Sequence, residues 1–186
     1  MKLEIKQAAP AFNLADVYGA VINLKALRGS TIYLSFERSA GCPVCNLRTH
    51  QLLKQADFFI QHNIKVLMVY ESSAEKMHEY LGNEVYPFHF IADPQTKLYN
   101  SYGVEISWLK AMKGLLHGLL PKVMQGKRLF KKPMKQDGHL SRIPAEFVID
   151  EDGNIALAHY GRFVGDHLEM GVLKAQLLKN VARVAG

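Results

Sequence analysis

Short apolar runs alternate with amphipathic segments along most of this chain. The runs at 31–36, 65–72 and 88–93 are rich in β-branched and aromatic residues, which is typical of buried strands. Between the first two, apolar residues recur at helical spacing from Pro43, which suits a first turn, to Asn63, which suits a helix end. A strand, a helix and a second strand at this spacing predict a right-handed βαβ unit.

More helices and a hairpin follow this unit. Ser73 is placed to open a short helix, and residues 96–103 form another helical segment. The sequence AEFVIDEDGNIALAHYG, residues 145–161, predicts two strands joined by an Asp-Gly turn. The segment 166–185 predicts a closing amphipathic helix, with Asp166 as its N-cap. Alternating strands and helices of this kind predict an α/β fold.

Length and composition fit one globular domain. The chain has 186 residues, of which 48% are hydrophobic and 22% charged, so we expect a single domain over residues 1–186. The N-terminal residues lack the uninterrupted apolar core of a secretory signal, and no run of about 18 apolar residues appears later. We therefore expect a soluble, cytoplasmic protein.

Positive charge is concentrated in one part of the chain. The net charge is +6, but the stretch from Ile106 to Gln136 carries +8 with no acidic residue, which leaves −2 for the rest of the chain. The basic residues are Lys110, Lys113, Lys122, Lys127, Arg128, Lys131, Lys132 and Lys135. We interpret residues 106–138, approximately, as a basic helical insert in the domain.

The insert has an apolar face as well as its lysines. From Trp108 to Val123 apolar residues follow i, i+3, i+4 spacing, which predicts a helix kinked at Pro121, while residues 125–139 are basic and predicted to be irregular. The interpretation we favour is that this face completes the core. The alternatives are contact with an anionic membrane surface, a partner's groove, or a lid over a site. We expect no nucleic-acid binding, since the insert offers few aromatic residues for stacking.

The sequence GCPVC, residues 41–45, contains the only two cysteines in the chain. It lies between a predicted buried strand and a predicted helix, and the N-terminus of a helix lowers the pKa of a nearby thiol. Cys42 would be the N-cap, Pro43 would lie in the first turn and Cys45 one turn inside. We expect an exposed Cys42 that attacks a substrate and a Cys45 that resolves the mixed disulfide.

Two charged residues precede the cysteines at the end of the strand. Arg38 would add positive potential that favours a thiolate. Glu37 would carry a proton for the buried thiol, and the alternative is a solvated Glu-Arg pair without a role.

Other interpretations of the cysteine pair are an inert pair and half a zinc site. In a reducing compartment a close pair is more often redox-active or metal-binding than a static crosslink. Zinc needs two further ligands, and the eight histidines show no HxxxH or similar local spacing. We therefore expect redox chemistry, with no metal and no cofactor.

These motifs resemble known families. The order of elements, with CxxC at the first βα turn, resembles the thioredoxin fold, and residues 9–36 look like the start of peroxiredoxins of the alkyl hydroperoxide reductase and thiol-specific antioxidant type. FERSAGCPVCNLR (36–48) and RIPAEFVIDEDGNIALAHYGRFVGDH (142–167) resemble the bacterial peroxiredoxin-like branch. The resemblance implies a thioredoxin-like fold: a central mixed β-sheet flanked by helices, with an N-terminal β-hairpin and a helical insert.

The resemblance also implies roles for single residues. It places Cys45 at the peroxide-reactive position, with Cys42 where the family has a threonine and Arg38 where it has a proline. Pro144 stands where the family usually has an arginine, with Arg142 two residues upstream. In the thioredoxin comparison Pro144 corresponds to the cis-proline that faces the CxxC, so we predict a cis bond. The alternative is an ordinary boundary between loop and strand.

The sequence supports two hypotheses of function. The first is a thiol oxidoreductase that cycles Cys42 and Cys45 between dithiol and disulfide, reduces peroxides or protein disulfides, and is restored by a thioredoxin- or glutathione-type reductant. The second is a non-catalytic adaptor that uses the basic insert at a membrane surface or on a partner.

Overall fold

The computed structural model describes residues 1–82, 84–129, 135 and 137–184 of the chain. The strands within these ranges are β1 (Asn13–Ala15), β2 (Val21–Asn23), β3 (Ile32–Phe36), β4 (Lys65–Tyr70), β5 (His89–Ala92), β6 (Ala145–Ile149) and β7 (Ile155–Tyr160). The helices are α1 (Pro43–Leu53), α2 (Ala56–Gln61), α3 (Ala74–Leu81), α4 (Lys97–Ser101), α5 (Trp108–Leu116), α6 (Leu119–Leu129) and α7 (Met170–Val184). A short 3-10 turn spans Leu24–Leu27.

Five strands form one mixed sheet in the order β5-β4-β3-β6-β7. The βαβ prediction is confirmed, since β3 and β4 pair in parallel with α1 and α2 between them. The Asp-Gly hairpin is confirmed as the antiparallel pair of β6 and β7, and the N-terminal hairpin as the separate pair of β1 and β2.

The centre of the sheet is buried on both faces. All five residues of β3 are buried, and apolar clusters cover its two sides. Tyr33 belongs to one cluster and Leu34 and Phe36 to the other. The end of β3 is therefore held by the core, and the chain passes from it directly into the cysteine motif.

The helix predicted after Pro43 is interrupted. Its α1 part ends at Leu53, and α2 begins at Ala56. The break gives Phe59 a buried place, stacked on Tyr33 at 6.4 Å between ring centroids. The spacing of apolar residues along the chain does not reveal this tertiary contact, so it predicted one uninterrupted helix.

The insert forms two helices instead of one kinked helix. The chain breaks at Gly118, which has φ of 75°, a conformation that glycine adopts readily. Pro121 then lies in the first turn of α6, where its missing N–H interrupts no helical hydrogen bond. The helix continues to Leu129 through part of the segment predicted to be irregular, and residues 130–134 and 136 of that segment lie outside the described residues.

The prediction that the apolar face of the insert completes the core is wrong for most of its residues. Leu119 and Val123 pack on the core cluster. The large apolar side chains of the insert that remain exposed are Ile106, Trp108, Leu109, Met112, Leu115, Leu116, Leu120, Met124 and Leu129. The protein contacts are made instead by the glycine faces of the two helices, at Gly114 and Gly126.

The N-cap predicted at Asp166 is also wrong. The helix α7 begins at Met170, four residues later. The Asp166 carboxylate instead accepts hydrogen bonds from the backbone N–H and the Nε of Arg162, at 2.8 and 3.0 Å. Asp166 therefore closes the loop before the helix.

The peptide bond before Pro144 is trans, so the predicted cis bond is wrong. The Ile143 N–H donates to the carbonyl of Glu105, and the Pro144 carbonyl accepts from Gly161 at 2.9 Å. These bonds hold the segment extended as it enters β6, as in the alternative of a loop-to-strand boundary.

The packing of α6 on α1 can be tested with one methyl group. A Cβ at Gly126 would overlap the carbonyl of Pro43, so we expect Gly126→Ala to lower the free energy of unfolding by roughly 1–3 kcal/mol. Gly171 lies in α7 with no atom within 4 Å of its Cβ position, so Gly171→Ala should raise it by up to about 1 kcal/mol. Urea unfolding of both variants measures the contrast, and equal effects would contradict the close packing.

Candidate redox site

Cys42 and Cys45 lie at the N-terminus of α1, as predicted. Cys42 is the N-cap, and its Sγ accepts a hydrogen bond from the backbone N–H of Cys45 at 3.4 Å. Pro43 occupies the first turn, where a missing N–H is harmless. The sulfur of Cys42 therefore faces the positive end of the helix dipole.

Both thiols are buried, so the prediction of an exposed Cys42 is wrong. Cys42 is 0% and Cys45 5% exposed. The small cavity beside them is lined in part by Arg142, Pro144 and the loop at 164–167. The end of α6 and the described residues 135 and 137–142, which we call the covering segment, pack on the residues next to the cysteines: Arg38, Gly41 and Pro43. The sequence raised a lid as one option for the insert, and this segment lies in that position.

Backbone contacts hold the covering segment against the motif. Gly126 is packed against the Pro43 carbonyl so closely that no Cβ would fit. The backbone of Lys135 lies equally close to Gly41, and its N–H donates to the hydroxyl of Tyr80 at 2.8 Å. These contacts involve glycines because only a residue without a side chain permits such an approach.

The remaining cavity over the two thiols is very small. Its volume is about 10 Å³, and Arg38, Cys42, Cys45 and Arg142 are among its lining residues. A cavity of this size holds about one water molecule. Hydrogen peroxide, with two oxygen atoms, therefore requires a small widening of this cavity, whereas a protein chain requires a large movement of the residues around it.

Arg38 connects both cysteines to the covering segment. Its Nη2 donates to Cys42 Sγ at 3.1 Å, and its Nη1 donates to the carbonyl of Leu140 at 2.6 Å. Its backbone N–H lies 3.3 Å from Cys45 Sγ. Its Nε is buried and has no hydrogen-bond partner among the described residues. The guanidinium thus keeps one donor that no described residue uses.

The two thiols have different acidities. Burial alone raises the pKa of Cys42, but the hydrogen bond from the Cys45 thiol, the charge of Arg38 and the Cys45 backbone N–H lower it to about 6. Burial and the neighbouring Cys42 raise the pKa of Cys45 well above its ordinary value, and the charge of Glu37 adds to this. Near neutral pH the pair therefore holds one thiolate, on Cys42, and one thiol.

Glu37 is fully buried, so the alternative of a solvated Glu-Arg pair is wrong. Its carboxylate accepts a hydrogen bond from Ser35 Oγ at 2.8 Å and pairs with His167 Nε2 at 3.2 Å. Burial lowers the pKa of His167, but the negative charge of Glu37 and the hydrogen bond between them outweigh this and raise it. Glu37 and Cys45 line the same cavity, which makes this carboxylate a candidate acceptor for the thiol proton.

Arg142 and Pro144 both line the cavity. The Arg142 guanidinium is bound through Nε to Glu71 and through Nη1 to the carbonyl of Val104 at 2.8 Å, and it lies over the ring of Tyr99. Arg142 is thus held by a buried ion pair at the wall of the site. The structure brings together all the residues predicted to support the cysteines.

Sequence reasoning gave too little weight to two residues. Glu71 follows β4 just as Glu37 follows β3. Because parallel strands end at the same edge of a sheet, the position of Glu71 at the edge that carries the cysteine motif could have been predicted. His167 is the last residue of the motif 142–167, but its contact with Glu37, 130 residues away in sequence, has no local signal. Among the described residues no group of three or more His, Cys, Asp or Glu is arranged to hold a metal ion.

Known proteins similar to this chain support the redox chemistry suggested by the cysteine site. The model of the AhpC/TSA family matches residues 5–158. This chain belongs to the AhpC/TSA family. Rv2521 of Mycobacterium tuberculosis, which its name assigns to the peroxiredoxins, is 25% identical over 155 residues, covering 82% of each protein. Family and relative together support a thiol oxidoreductase.

Solved structures show that this AhpC/TSA chain has a thioredoxin-like fold, as predicted. The peroxidoxin BcpB of Mycobacterium tuberculosis superposes with a TM-score of 0.64 at 16% identity, covering 98% of this chain and 97% of that one. A thiol:disulfide interchange protein of the DsbE type from Chlorobium tepidum superposes with a TM-score of 0.62 at 20% identity, covering both chains completely. The fold is therefore shared by proteins named for either chemistry.

The acidity of Cys42 should depend on the charge of Arg38. We expect Arg38→Gln to raise the pKa of Cys42 from about 6 toward the ordinary thiol range, since burial remains while the cation is lost. Arg38→Lys should preserve much of the shift. The ultraviolet absorbance of the thiolate, followed through a pH titration of the reduced protein, measures it.

A matched control is Arg28→Gln, which removes an exposed cation at the opposite end of β3. This variant should titrate as the parent protein does. An unchanged midpoint in Arg38→Gln would show that the hydrogen bonds from Cys45 lower the pKa without the arginine.

Proposed function

We propose that this protein is a thiol oxidoreductase in which Cys42 attacks the oxidised substrate and Cys45 resolves the product, so that the pair cycles between dithiol and disulfide. The observation that carries the proposal is the environment of Cys42 Sγ, which accepts hydrogen bonds from Arg38 Nη2 at 3.1 Å and from the Cys45 backbone N–H at 3.4 Å, with the Cys45 thiol beside it. A nucleophile must be a thiolate at working pH, and Cys42 meets this condition with a pKa of about 6. Cys45 keeps its proton until the second step.

A small hydroperoxide is the substrate that requires the least opening of the site. The Cys42 thiolate attacks one peroxide oxygen, the O–O bond breaks, and the leaving alkoxide or hydroxide takes a proton, which leaves a sulfenic acid on Cys42. Arg38 supplies positive charge and its free Nε as a donor to the oxygen. The family binds the peroxide through a threonine hydroxyl, and Cys42 takes the place of that threonine here. Arg142 is bound to Glu71, so Arg38 is the cation assigned to the peroxide oxygen.

The second step forms the disulfide. Glu37 accepts the proton of Cys45, whose sulfur attacks Cys42 Sγ and displaces hydroxide, which leaves as water after protonation. The products are one alcohol or water from the peroxide, one further water and a Cys42–Cys45 disulfide. A thioredoxin- or glutathione-type reductant then supplies two electrons and two protons to restore the dithiol. The proposal therefore places the protein in the cytoplasm, where such reductants are found.

A protein disulfide is the second candidate substrate. It is favoured by the CxxC arrangement itself, with a thiolate at the N-cap and a buried resolving thiol, which suits attack on sulfur. Here the Cys42 thiolate forms a mixed disulfide and releases one substrate thiol, and Cys45 then releases the other. The covering segment must move for this reaction, because Cys42 is 0% exposed.

Two substrates and two variants test the mechanism. With hydrogen peroxide, the protein is supplied with thioredoxin, its reductase and NADPH, and turnover is followed. With insulin as a protein disulfide, the reduced protein is used alone, because thioredoxin reduces insulin by itself, and the oxidation of the protein's own dithiol is followed. We expect Cys42→Ser to abolish the reaction with either substrate, since no low-pKa thiol remains. Cys45→Ser should consume one equivalent of peroxide and accumulate a Cys42 sulfenic acid that dimedone traps.

Each other outcome has a distinct meaning. Full turnover by both variants would refute a redox role and favour the adaptor. A peroxide burst that survives in Cys42→Ser and is lost in Cys45→Ser would reverse the roles of the cysteines, as the family resemblance implies. Insulin reduction without peroxide turnover would make the protein disulfide the substrate.

The role of Glu37 as the base that accepts the Cys45 proton is tested by the rate of disulfide formation. We expect Glu37→Gln to slow closure of the Cys42–Cys45 disulfide by roughly 100-fold, because Cys45 then loses its proton only to solvent. Rapid alkylation and mass spectrometry measure this rate after a peroxide pulse. In the variant it should rise with pH, whereas Glu37→Asp should retain part of the parent profile. A parent-like rate and pH profile in Glu37→Gln would exclude this role.

A further inference from the structure

The two helices of the insert expose apolar residues on one side. On α5 the exposed side chains Trp108, Leu109, Met112, Leu115 and Leu116 lie within an arc of about 120° at 100° per residue. On α6 the exposed pair Leu120 and Met124 is one turn apart and lies on one side of that helix. This set of seven residues is called the outer face below.

The outer face points away from the protein. Gly114, on the opposite side of α5, is buried with its Cβ position 3.1 Å from the carbonyl of Val164. Gly126, on the opposite side of α6, is packed on Pro43. Both helices thus contact the domain through a glycine, and α6 also through Leu119 and Val123, while the other large apolar side chains named above face solvent. Exposed apolar patches of this kind mark contact surfaces in soluble proteins.

Cations lie at the edge of the outer face. On the α6 helical wheel Lys127 and Arg128 flank Leu120 and Met124, and on α5 Lys113 lies about 40° beyond Leu109. All three cations are exposed and form no ion pair or hydrogen bond with any described residue. By contrast, the charge of Lys110 is paired with Glu105, and Lys122 donates to the carbonyl of Gly165 at 2.6 Å. The stretch from Ile106 to Gln136 has no acidic residue.

We propose that the outer face binds the surface of an anionic phospholipid bilayer. Apolar side chains between unpaired cations match a layer of acyl chains below negatively charged headgroups, and Trp108 is of the residue type enriched at that boundary. A second copy seated on the same face would bring like charges together at the interface, which disfavours self-association. No helix among the described residues is long and apolar enough to span a membrane, and this contact requires only an interfacial position.

Vesicle binding tests the proposal directly. Vesicles contain phosphatidylcholine alone or equal parts phosphatidylcholine and phosphatidylglycerol, and binding is measured by sedimentation. We expect binding to the anionic vesicles at low salt, weakened as sodium chloride is raised. Trp108 is the only tryptophan in the chain, so a blue shift of its emission reports contact of the outer face itself.

Matched variants separate the apolar and the ionic contributions. Leu116→Ser should weaken binding by about tenfold, whereas Val85→Ser, at a residue 98% exposed outside the insert, should not. Lys113→Gln with Lys127→Gln should weaken it by roughly 30-fold. Lys25→Gln with Lys179→Gln makes the same charge change at exposed positions elsewhere and should have a much smaller effect. Cys42→Ser should bind as the parent does, so the result does not depend on the redox proposal.

Three results would overturn the proposal. The first is no binding to anionic vesicles at low salt. The second is equal binding to uncharged vesicles, unaffected by salt. The third is a concentration-dependent dimer in sedimentation velocity that Leu116→Ser dissociates, which would assign the outer face to a second copy of the chain.

Discussion

The site depends on keeping a negative charge on a sulfur atom that solvent does not reach. Burial opposes that charge, so it must be offset locally, and the N-terminus of α1, the Cys45 thiol and the guanidinium of Arg38 do so. These groups depend on other parts of the fold. The N-terminus of α1 and the Cys45 thiol depend on the position of α1 on the sheet, and the guanidinium of Arg38 depends on its hydrogen bond to the carbonyl of Leu140. The acidity of Cys42 is thus a property of the closed structure, because opening of the covering segment changes the burial of the thiol and the constraint on the arginine together.

Buried carboxylates hold the rest of the site in place. Glu37 pairs with His167, Glu71 with Arg142 and Glu146 with Arg48, and each acid is at most 4% exposed. Loss of either partner of such a pair leaves an uncompensated buried charge, which is more destabilising than loss of both. The pairs join strand ends to segments far away in sequence, so they fix where the covering segment and the loop before α7 approach the sheet. The only carboxylate among them that lines the thiol cavity is Glu37, which suits it for proton transfer.

The features predictable from the sequence were those encoded by neighbouring residues. The strands, the Asp-Gly hairpin, the N-cap at Cys42 and the approach of Arg38 follow from local spacing, and the structure has them. Long-range contacts caused the errors. The cavity at Cys42 is lined in part by residues about 100 positions away or more, from Arg142 to His167. The bond before Pro144 is trans in a segment held by Glu105 and Gly161. The outer face was misjudged because helical spacing shows that a helix has an apolar side but does not show toward which side the protein lies.

The insert joins the two proposals physically. Its α6 helix has Gly126 against the first turn of α1, beside the thiols, while Leu120 and Met124 face solvent on the other side of the same helix. A helix of 11 residues is a rigid body on this scale, so a force on its outer side is transmitted to the Pro43 contact. A ligand shifts an opening equilibrium only if it binds the two states with different affinity. A flat membrane surface contacts α5 and α6 together. If opening of the covering segment changes the angle between these two helices, the surface binds the closed and open states with different affinity. Binding at the outer face and access to Cys42 are then coupled through one helix, without any contact between the ligand and the cysteines.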